Sequence, residues 1–241
     1  MDAFQLHSGI PSLGPQEPED VYIFFSLMED ALQRYNPQQL LDSAEEERFN
    51  KYRTEGKRNE FLFGRMFMKK LLGEILALPA AEVSLGINEH RRPYLPGQKL
   101  QFNLSHSFGG FALIVSSQLP VGVDIEYRKR NISLEDANHV FMPAEKISMA
   151  KKEDEAAKNE FLHRWTAKEA IYKAADVGTQ LLFNEFELSF DPLQLHSHSS
   201  HLPEEAWELR HAYPHPDYLL AFAVQNPAAT PLNFYFHQIL F

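Results

Sequence analysis

Asp124 and Glu126 lie on one face of a predicted strand, VGVDIEY, at residues 121–127. Because side chains alternate along a strand, the apolar odd-numbered residues would bury the opposite face. The two carboxylates then stand about 6.6 Å apart at Cα, from a rise of about 3.3 Å per residue, and repel each other unless a cation lies nearby. On an exposed edge strand the same pair would be ordinary solvated charge, so two interpretations remain open.

A second charged set continues an aromatic stripe. In FLHRWTAKEAIYKA, residues 161–174, the side chains Phe161, Trp165, Glu169 and Lys173 follow at i, i+4 spacing and share one helix face. An exposed Glu169 and Lys173 pair would be worth only about 0.2–0.5 kcal/mol. Since a solvated face rarely includes Phe and Trp, we expect this carboxylate and ammonium to be partly buried.

Several polar side chains could meet phosphate groups. FNLSHS, residues 102–107, places Ser105 and His106 just before a turn, and HRRPYL, residues 90–95, contains two arginines. Each stretch by itself is equally typical of structural or surface residues. Further basic residues precede them: Arg48, Lys51, Arg53, Lys57, Arg58 and Arg65.

Three carboxylates, Asp124, Glu126 and Glu169, make an all-oxygen set of the kind that suits Mg²⁺. Mg²⁺ commonly keeps water and substrate phosphate oxygens as its other ligands. With Ser, His and Arg side chains available to clamp phosphates, these residues together predict a magnesium site that serves a pyrophosphate.

The composition excludes several classes of function. The chain has 241 residues, 44% of them hydrophobic, no cysteine and a formal net charge of −10. Such a chain is globular, the charge argues against nucleic-acid binding, and no apolar run predicts a membrane span or a signal peptide. We therefore expect a soluble cytoplasmic protein. Neither of the glycine-rich nucleotide-binding motifs, G-x-G-x-x-G and G-x-x-x-x-G-K-[ST], occurs in the sequence.

The order of predicted elements recurs. The first half has a strand at 20–27, a helix with capping-box spacing at Ser43 and Glu46, and a helix within 58–78. Strands at 82–88, 101–107 and 111–117 follow. A hairpin at Phe108 to Gly110 joins the last two strands. In the second half, VGVDIEY precedes a helix opening at Ser133, helices within 143–175, and four strands. A polar loop at 193–206 contains three histidines, which we interpret as solvated rather than metal-binding.

This recurrence predicts an α+β fold built as a pseudo-dimer. Each half, 1–118 and 119–241, would be an antiparallel sheet with helices packed on one face. The N-terminal half would contact the phosphates of the ligand, while the C-terminal half would carry the metal site and its helix. A site at the junction of two such halves is a common arrangement.

HRRPYL, FNLSHS, VGVDIE and FLHRWTAKEAIYK, in this order, resemble the motifs of 4′-phosphopantetheinyl transferases of the surfactin-synthetase-activating type. The resemblance covers residues 90–173, and the helices from 43 to 76 match more loosely. Larger members of that family are monomers with an internal pseudo-two-fold, which is the architecture that the element order predicts.

The resemblance implies that coenzyme A binds between the halves. Its phosphopantetheine arm would pass to a serine of an acyl or peptidyl carrier protein, releasing adenosine 3′,5′-bisphosphate. Asp124, Glu126 and Glu169 match the family's Mg²⁺ ligands. Glu169, or a water on the metal, would take the serine proton, and Lys173 would neutralise or protonate the leaving phosphate.

The remaining site residues are also implied by the resemblance. Ser105 and His106 match the family's pyrophosphate binders and Lys168 its adjoining helix lysine. Arg92 stands where the family often has Lys before Pro, which keeps the charge but changes its geometry. The candidates for the 3′-phosphate of coenzyme A are Arg48 and Arg53.

Two other functions fit the same residues. A Mg²⁺-dependent pyrophosphate hydrolase would use the carboxylates to activate water, and a non-catalytic module would only bind carrier proteins. Because carrier proteins are usually acidic, docking would need a local basic and apolar surface, for which we select YRKRN at 127–131 and the following segment through Phe141 and Met142. The sequence does not indicate whether the acceptor belongs to fatty acid, polyketide or nonribosomal peptide synthesis.

Overall fold

The computed structural model describes residues 4–8, 17–28, 32, 36–97, 100–133, 140–190, 192–203 and 207–241. Its α-helices are α1 Ser43–Lys51, α2 Glu55–Leu76, α3 Pro143–Ala150 and α4 Asp154–Ala175. The strands are β1 Gln5–Ser8, β2 Asp20–Leu27, β3 Gly86–Ile87, β4 Pro93–Tyr94, β5 Gln101–Ser107, β6 Gly110–Ser116, β7 Val121–Tyr127, β8 Phe186–Ser189, β9 Gln194–Ser197, β10 Trp207–His215, β11 Tyr218–Gln225 and β12 Asn233–Leu240. Short 3₁₀ helices lie at Pro37–Leu40, Ala80–Glu82, Gly178–Gln180 and Phe183–Glu185.

Two sheets and two long helices form the body of the molecule. The first sheet has the order β1-β12-β2-β6-β5 and the second has the order β10-β11-β7. The outer face of the first sheet packs on α2 through residues such as Phe24, Phe67 and Leu113, and the outer face of the second packs on α4 through Ala170 and Ala223. The predicted α+β class and doubled arrangement are confirmed.

The inner faces of the two sheets pack against each other. Val121, Val123 and Ile125 of β7 share one buried cluster with Ile23 and Ile114 of the first sheet. The predicted burial of the odd-numbered face of β7 is therefore confirmed. The even-numbered face, which carries Asp124 and Glu126, is directed toward α4.

The two long helices have matching ends. Both α2 and α4 contain 22 residues, and each is followed by a residue in the left-handed conformation, Ala77 at φ 52° and Asp176 at φ 49°. The last turn of each helix thus closes in the same way, although neither terminal residue is glycine, the usual choice for this conformation. The repeated ends extend the similarity of the two halves to their local backbone geometry.

The last strand departs from the predicted division at 118/119. Strand β12 comes from the second half of the sequence but pairs in parallel with β2 and β1 of the first sheet. The first sheet is therefore mixed, antiparallel only across β2, β6 and β5. Phe236 packs between the sheets and Ile239 packs toward α2, so β12 is apolar on both faces and fits a central position.

Local details differ from the predictions in three places, and a fourth prediction is not tested. The capping box of α1 uses Asp42 and Glu45, one residue before the predicted pair, because the Asp42 carboxylate reaches the Glu45 N–H. Of the strand expected at 82–88, only Gly86–Ile87 pairs. Residues 194–197 of the histidine loop form β9. The helix expected at Ser133 falls at 134–139, outside the described residues.

Candidate active site

Side chains of β5 join the two sheets at the candidate site. The backbone N–H groups of Val123, Ile125 and Tyr127 on the free edge of β7 donate to Asn103 Oδ1, Ser105 Oγ and Ser107 Oγ at 2.9, 3.4 and 3.3 Å. These three acceptors alternate along β5, so they lie on one face. They replace a backbone ladder between the sheets and fix β7 along β5.

Asp124 is buried, with 5% of its surface exposed. Its Oδ1 accepts hydrogen bonds from Ser105 Oγ at 2.8 Å and Lys173 Nζ at 2.6 Å. Its Oδ2 is also buried, and no residue that the structure describes donates a hydrogen bond to it. A buried carboxylate oxygen without a partner is costly, so this atom is suited to a cation ligand.

Glu126 is held by three neighbours. Ser107 Oγ donates to its Oε2 at 3.0 Å, while Trp165 Nε1 and Arg130 Nη1 contact its Oε1 at 3.0 Å each. Burial, and next the charge of Asp124, nevertheless raise the pKa of Glu126 above its ordinary value. The predicted exposed edge-strand alternative is therefore wrong, because α4 and β5 cover the carboxylates.

Helix α4 brings the other two predicted residues to the same place. Glu169 Oε2 lies 3.8 Å from Lys173 Nζ, which bonds Asp124. Burial raises the pKa of Glu169; Lys173 opposes this shift, and the charges of Asp124 and Glu126 add to it. The expected partial burial of this pair is confirmed.

Gly122 explains how α4 comes so close to β7. A Cβ atom added at Gly122 would collide with the Ala170 carbonyl and would lie 2.5 Å from the Ala174 nitrogen. Only a residue without a side chain allows this approach. The glycine therefore sets the spacing at which Glu169 and Lys173 reach the carboxylates of β7.

The oxygen atoms of these carboxylates are chemically suited to a hard divalent cation, but their positions do not form a complete metal site. Asp124, Glu126 and Glu169 supply oxygen ligands, and Asp124 Oδ2 accepts no hydrogen bond from the described residues. Burial raises the pKa of both glutamates because it disfavours their charged forms, and a bound cation would offset this effect. Within the described residues, however, no three His, Asp or Glu side chains are already arranged around a point that could hold a metal. Lys173 and Arg130 contact two of the carboxylates directly.

The opposite face of β5 borders a basic cavity of about 330 Å³. Its charged and aromatic lining residues are Arg48, Tyr52, Lys57, Glu60, Phe61, Arg65, Arg91, His106 and Phe111. Ser105 and His106, predicted to act together, therefore lie on opposite faces of the strand. Desolvation by its neighbours lowers the pKa of His106, an exposed residue whose ring stacks on Phe111 with ring centroids 5.0 Å apart. Lys57 pairs with Glu60 at 2.6 Å and Arg65 with Glu45 at 3.2 Å, whereas Arg48 and Arg91 beside the aromatic rings suit a phosphorylated nucleotide.

Three predicted phosphate ligands lie elsewhere. Arg53 is exposed in the linker between α1 and α2 and does not line the cavity, whereas Arg48 does. The Lys168 ammonium is fully buried, bonded to Glu145 at 2.7 Å and to backbone carbonyls, and burial lowers its pKa to about 8. Lys168 does not face the carboxylates as Glu169 does, because successive side chains on a helix point about 100° apart. The Arg92 guanidinium binds backbone carbonyls.

Several residues around the site were not selected from the sequence. Ser107 stands two residues after Ser105, so strand alternation was a signal that it shares the carboxylate face. Trp165 stands four residues before Glu169, which placed it on the same helix face but did not reveal its bond to Glu126. Arg65 and Arg91 were considered as possible phosphate contacts but not chosen as site residues, because no local signal distinguished them from surface arginines.

Two family models together match most of the chain. A model described as the 4′-phosphopantetheinyl transferase superfamily matches residues 120–223, and one described as 4′-phosphopantetheinyl transferase, N-terminal, matches residues 33–119. The two matches meet at 119/120, directly before β7. The chain belongs to the 4′-phosphopantetheinyl transferase superfamily, in its larger form with two halves.

Named relatives agree with this assignment. The chain is 30% identical over 128 residues to 4′-phosphopantetheinyl transferase of Bacillus subtilis, covering 53% of this chain and 56% of the relative. It is 29% identical over 189 residues to 4′-phosphopantetheinyl transferase HetI of a Nostoc strain, covering 76% and 78%. The chain thus spans about half the length of the Bacillus relative. The Thermotoga maritima holo-[acyl-carrier-protein] synthase structure matches with a TM-score of 0.39 at 19% identity, covering 45% of this chain and 64% of that one.

Proposed function

We propose that this protein transfers the 4′-phosphopantetheine arm of coenzyme A to a serine of an acyl or peptidyl carrier protein, releasing adenosine 3′,5′-bisphosphate. The main support is that one strand, β5, separates a basic cavity from three neighbouring carboxylates and a lysine. The adenosine bisphosphate end would bind in the cavity. The pyrophosphate would then reach around the strand toward Asp124, Glu126 and Glu169.

The proposed metal at these carboxylates is Mg²⁺, which would supply positive charge to the pyrophosphate. Asp124, Glu126 and Glu169 would hold it, and the unpartnered Asp124 Oδ2 favours that role. Glu169, or a water on the metal, would take the proton of the serine hydroxyl.

Other side chains would bind and orient the phosphates. Lys173, already held by Asp124 and Ser105, would neutralise charge on the leaving phosphate. Ser105 would contact the pyrophosphate from the carboxylate face. Arg48 and His106 would contact the 3′-phosphate or the adjoining groups from the cavity face.

The carrier protein would dock beside the carboxylates. Residues 128–132 and Lys158 line an open cavity of about 530 Å³. Arg130, which lines this cavity, also forms an ion pair with Glu126. Its local positive charge suits an acidic partner despite the net charge of −10. Phe141, which we also selected, is buried and would contribute indirectly, while Met142 is partly exposed.

We further propose that the protein acts as a monomer in the cytoplasm. Both halves of the pseudo-dimer lie in one chain, and the absence of cysteine fits a reducing compartment. Within the described ranges, no helix combines the length and the apolar character needed to cross a membrane.

Mass spectrometry of an apo-carrier protein incubated with the purified protein, Mg²⁺ and coenzyme A tests the proposal. One phosphopantetheine should be added, EDTA should stop the reaction, and excess Mg²⁺ should restore it. A carrier whose acceptor serine is replaced by alanine should stay unlabelled but still bind.

Incubation with coenzyme A alone distinguishes the proposed transferase from a pyrophosphate hydrolase. A pyrophosphate hydrolase would consume coenzyme A in this control, whereas the transferase should not. Tight carrier binding without turnover would instead support a non-catalytic module. Labelling that continued undiminished in EDTA would contradict the metal's role.

A further inference from the structure

Arg92 lies where three elements of the proposed active site meet. Its side chain is 14% exposed. Its Nη2 donates to the backbone carbonyls of Phe102 in β5 and Val121 in β7 at 3.1 and 2.7 Å, and its Nη1 donates to the carbonyl of Lys173 in α4. All three acceptors are backbone groups, so they depend on where the strands and helix lie.

The hydrogen bond from Arg92 to the Lys173 carbonyl satisfies a backbone acceptor in the last turn of α4. The last four carbonyls of a helix have no partner within the helix. The Asp176 N–H covers the carbonyl of Tyr172 at 3.3 Å, and Arg92 covers the next one. A cation at this end also interacts favourably with the helix dipole.

The loop that carries Arg92 is itself fixed against the same helix end. Asn88 Nδ2 donates to Asp176 Oδ2 at 3.0 Å, and Asn88 Oδ1 accepts from the backbone N–H groups of His90 and Arg92 at 3.0 and 2.9 Å. A Cβ added at Gly178 would lie 2.5 Å from His90 Nδ1. The loop at 88–92 therefore packs closely on the residues that follow α4.

Arg91, the neighbouring residue, has a different environment. It adopts φ 63°, is exposed, and lines the basic cavity, whereas Arg92 does not. The left-handed backbone at Arg91 turns the two adjacent guanidinium groups toward different parts of the molecule. The pair thus separates a cation available to a phosphate from one already used within the fold.

We propose that Arg92 is a positioning residue that fixes the last turn of α4 on β5 and β7 and thereby holds Lys173 against Asp124. The inference rests on the proposed transferase function for its catalytic consequence. It assigns phosphate binding on this loop to Arg91 instead. A lysine at position 92 would keep the charge but could not reach three separated carbonyls with one planar fork.

Arg92→Gln and Arg91→Gln form a matched pair for the test. For Arg92→Gln we expect kcat at saturating coenzyme A to fall by about 10²-fold, the effect of a small misplacement of catalytic groups. The Kd for adenosine 3′,5′-bisphosphate, measured by calorimetry, should stay near the wild-type value. For Arg91→Gln that Kd should rise by roughly tenfold, with a much smaller change in kcat.

Hydrogen exchange at residues 170–176 gives a readout that is independent of activity. Arg92→Gln should speed exchange in this turn, and Arg91→Gln should not. If the wild-type protein transfers no phosphopantetheine, the proposed function fails, while exchange and nucleotide binding still decide the role of Arg92.

Two results would overturn the assignment. One is a rise in Kd for Arg92→Gln with kcat preserved, which is the behaviour of a phosphate ligand. The other is unchanged exchange at 170–176. If Arg92→Gln does not fold, Arg92→Lys replaces it, with a smaller split in the same direction expected.

Discussion

The two faces of β5 differ in how their charges are arranged. On one face, Arg48, Arg65, Arg91 and Lys57 surround a cavity that opens to solvent. On the other, Asp124 and Glu126 are covered by α4, which carries Glu169, and they are held by serine hydroxyls, an indole N–H and two cations. One face is suited to bind an anion and the other to bind a cation.

This difference has a physical cause in strand alternation. Because adjacent side chains of β5 point in opposite directions, Ser105 serves the carboxylates and His106 serves the cavity. A single strand therefore separates opposite charges over the width of one backbone. Coenzyme A, whose phosphates are divided between its pyrophosphate and its 3′-phosphate, could contact both faces at once.

The largest expected effect comes from Asp124→Asn. Transfer activity should fall by more than about 10²-fold, since losing even an indirect partner of a metal ligand costs 10- to 100-fold. The melting temperature should change little, because the weakened contact with Lys173 is offset by relief of the repulsion among the three carboxylates. Calorimetry should show nearly unchanged binding of adenosine 3′,5′-bisphosphate. Marked unfolding, or loss of nucleotide binding, would contradict the separation of the two faces.

Gly122→Ala should disturb the carboxylate face through packing. The new methyl group would collide with the Ala170 carbonyl, and overpacking of this kind costs about 1–3 kcal/mol of unfolding free energy. We expect a lower urea midpoint together with reduced activity. Gly56→Ala, at a helix position with open space around it, is the matched control and should be neutral or slightly stabilising. Equal effects of the two substitutions would remove the role assigned to Gly122.

Arg48→Gln tests whether the cavity face binds the nucleotide. Since Arg48 lines the cavity, the Kd for adenosine 3′,5′-bisphosphate should rise by roughly tenfold, with less change in kcat at saturating coenzyme A. Arg53→Gln should raise that Kd much less, because Arg53 is exposed outside the cavity. A larger effect at Arg53 would show that the 3′-phosphate binds nearer the linker.

The two faces should respond to pH in opposite directions. The pKa values of Glu126 and Glu169 are raised, so as pH falls through those values both become protonated and Mg²⁺ affinity is lost. The pKa of His106 is lowered, so its positive charge appears only as pH falls toward that value, and nucleotide binding should then tighten. Calorimetric titrations across pH check both trends, which Glu169→Gln and His106→Gln should respectively flatten. Parallel trends for the two ligands would contradict the assignment of opposite charges.

Local pattern in the sequence correctly predicted which of the charged side chains share a face. The alternation in VGVDIEY placed Asp124 and Glu126 on one face, and the i, i+4 stripe in α4 placed Trp165, Glu169 and Lys173 on another. Both patterns depend on neighbours within a few residues, so composition and spacing are enough to read them. The doubled α+β arrangement followed from element order for the same reason.

Tertiary structure decided which residues use those faces. Arg92 binds carbonyls of residues 10, 29 and 81 positions away, and Lys168 pairs with Glu145 from another helix, so neither contact has a local signal. Strand β12 likewise crosses to the first sheet because a partner edge, distant in sequence, was available there. The sequence by itself determined the chemical types and local faces of the candidate site residues. Only long-range packing determined which cations face a ligand and which are used to hold the fold.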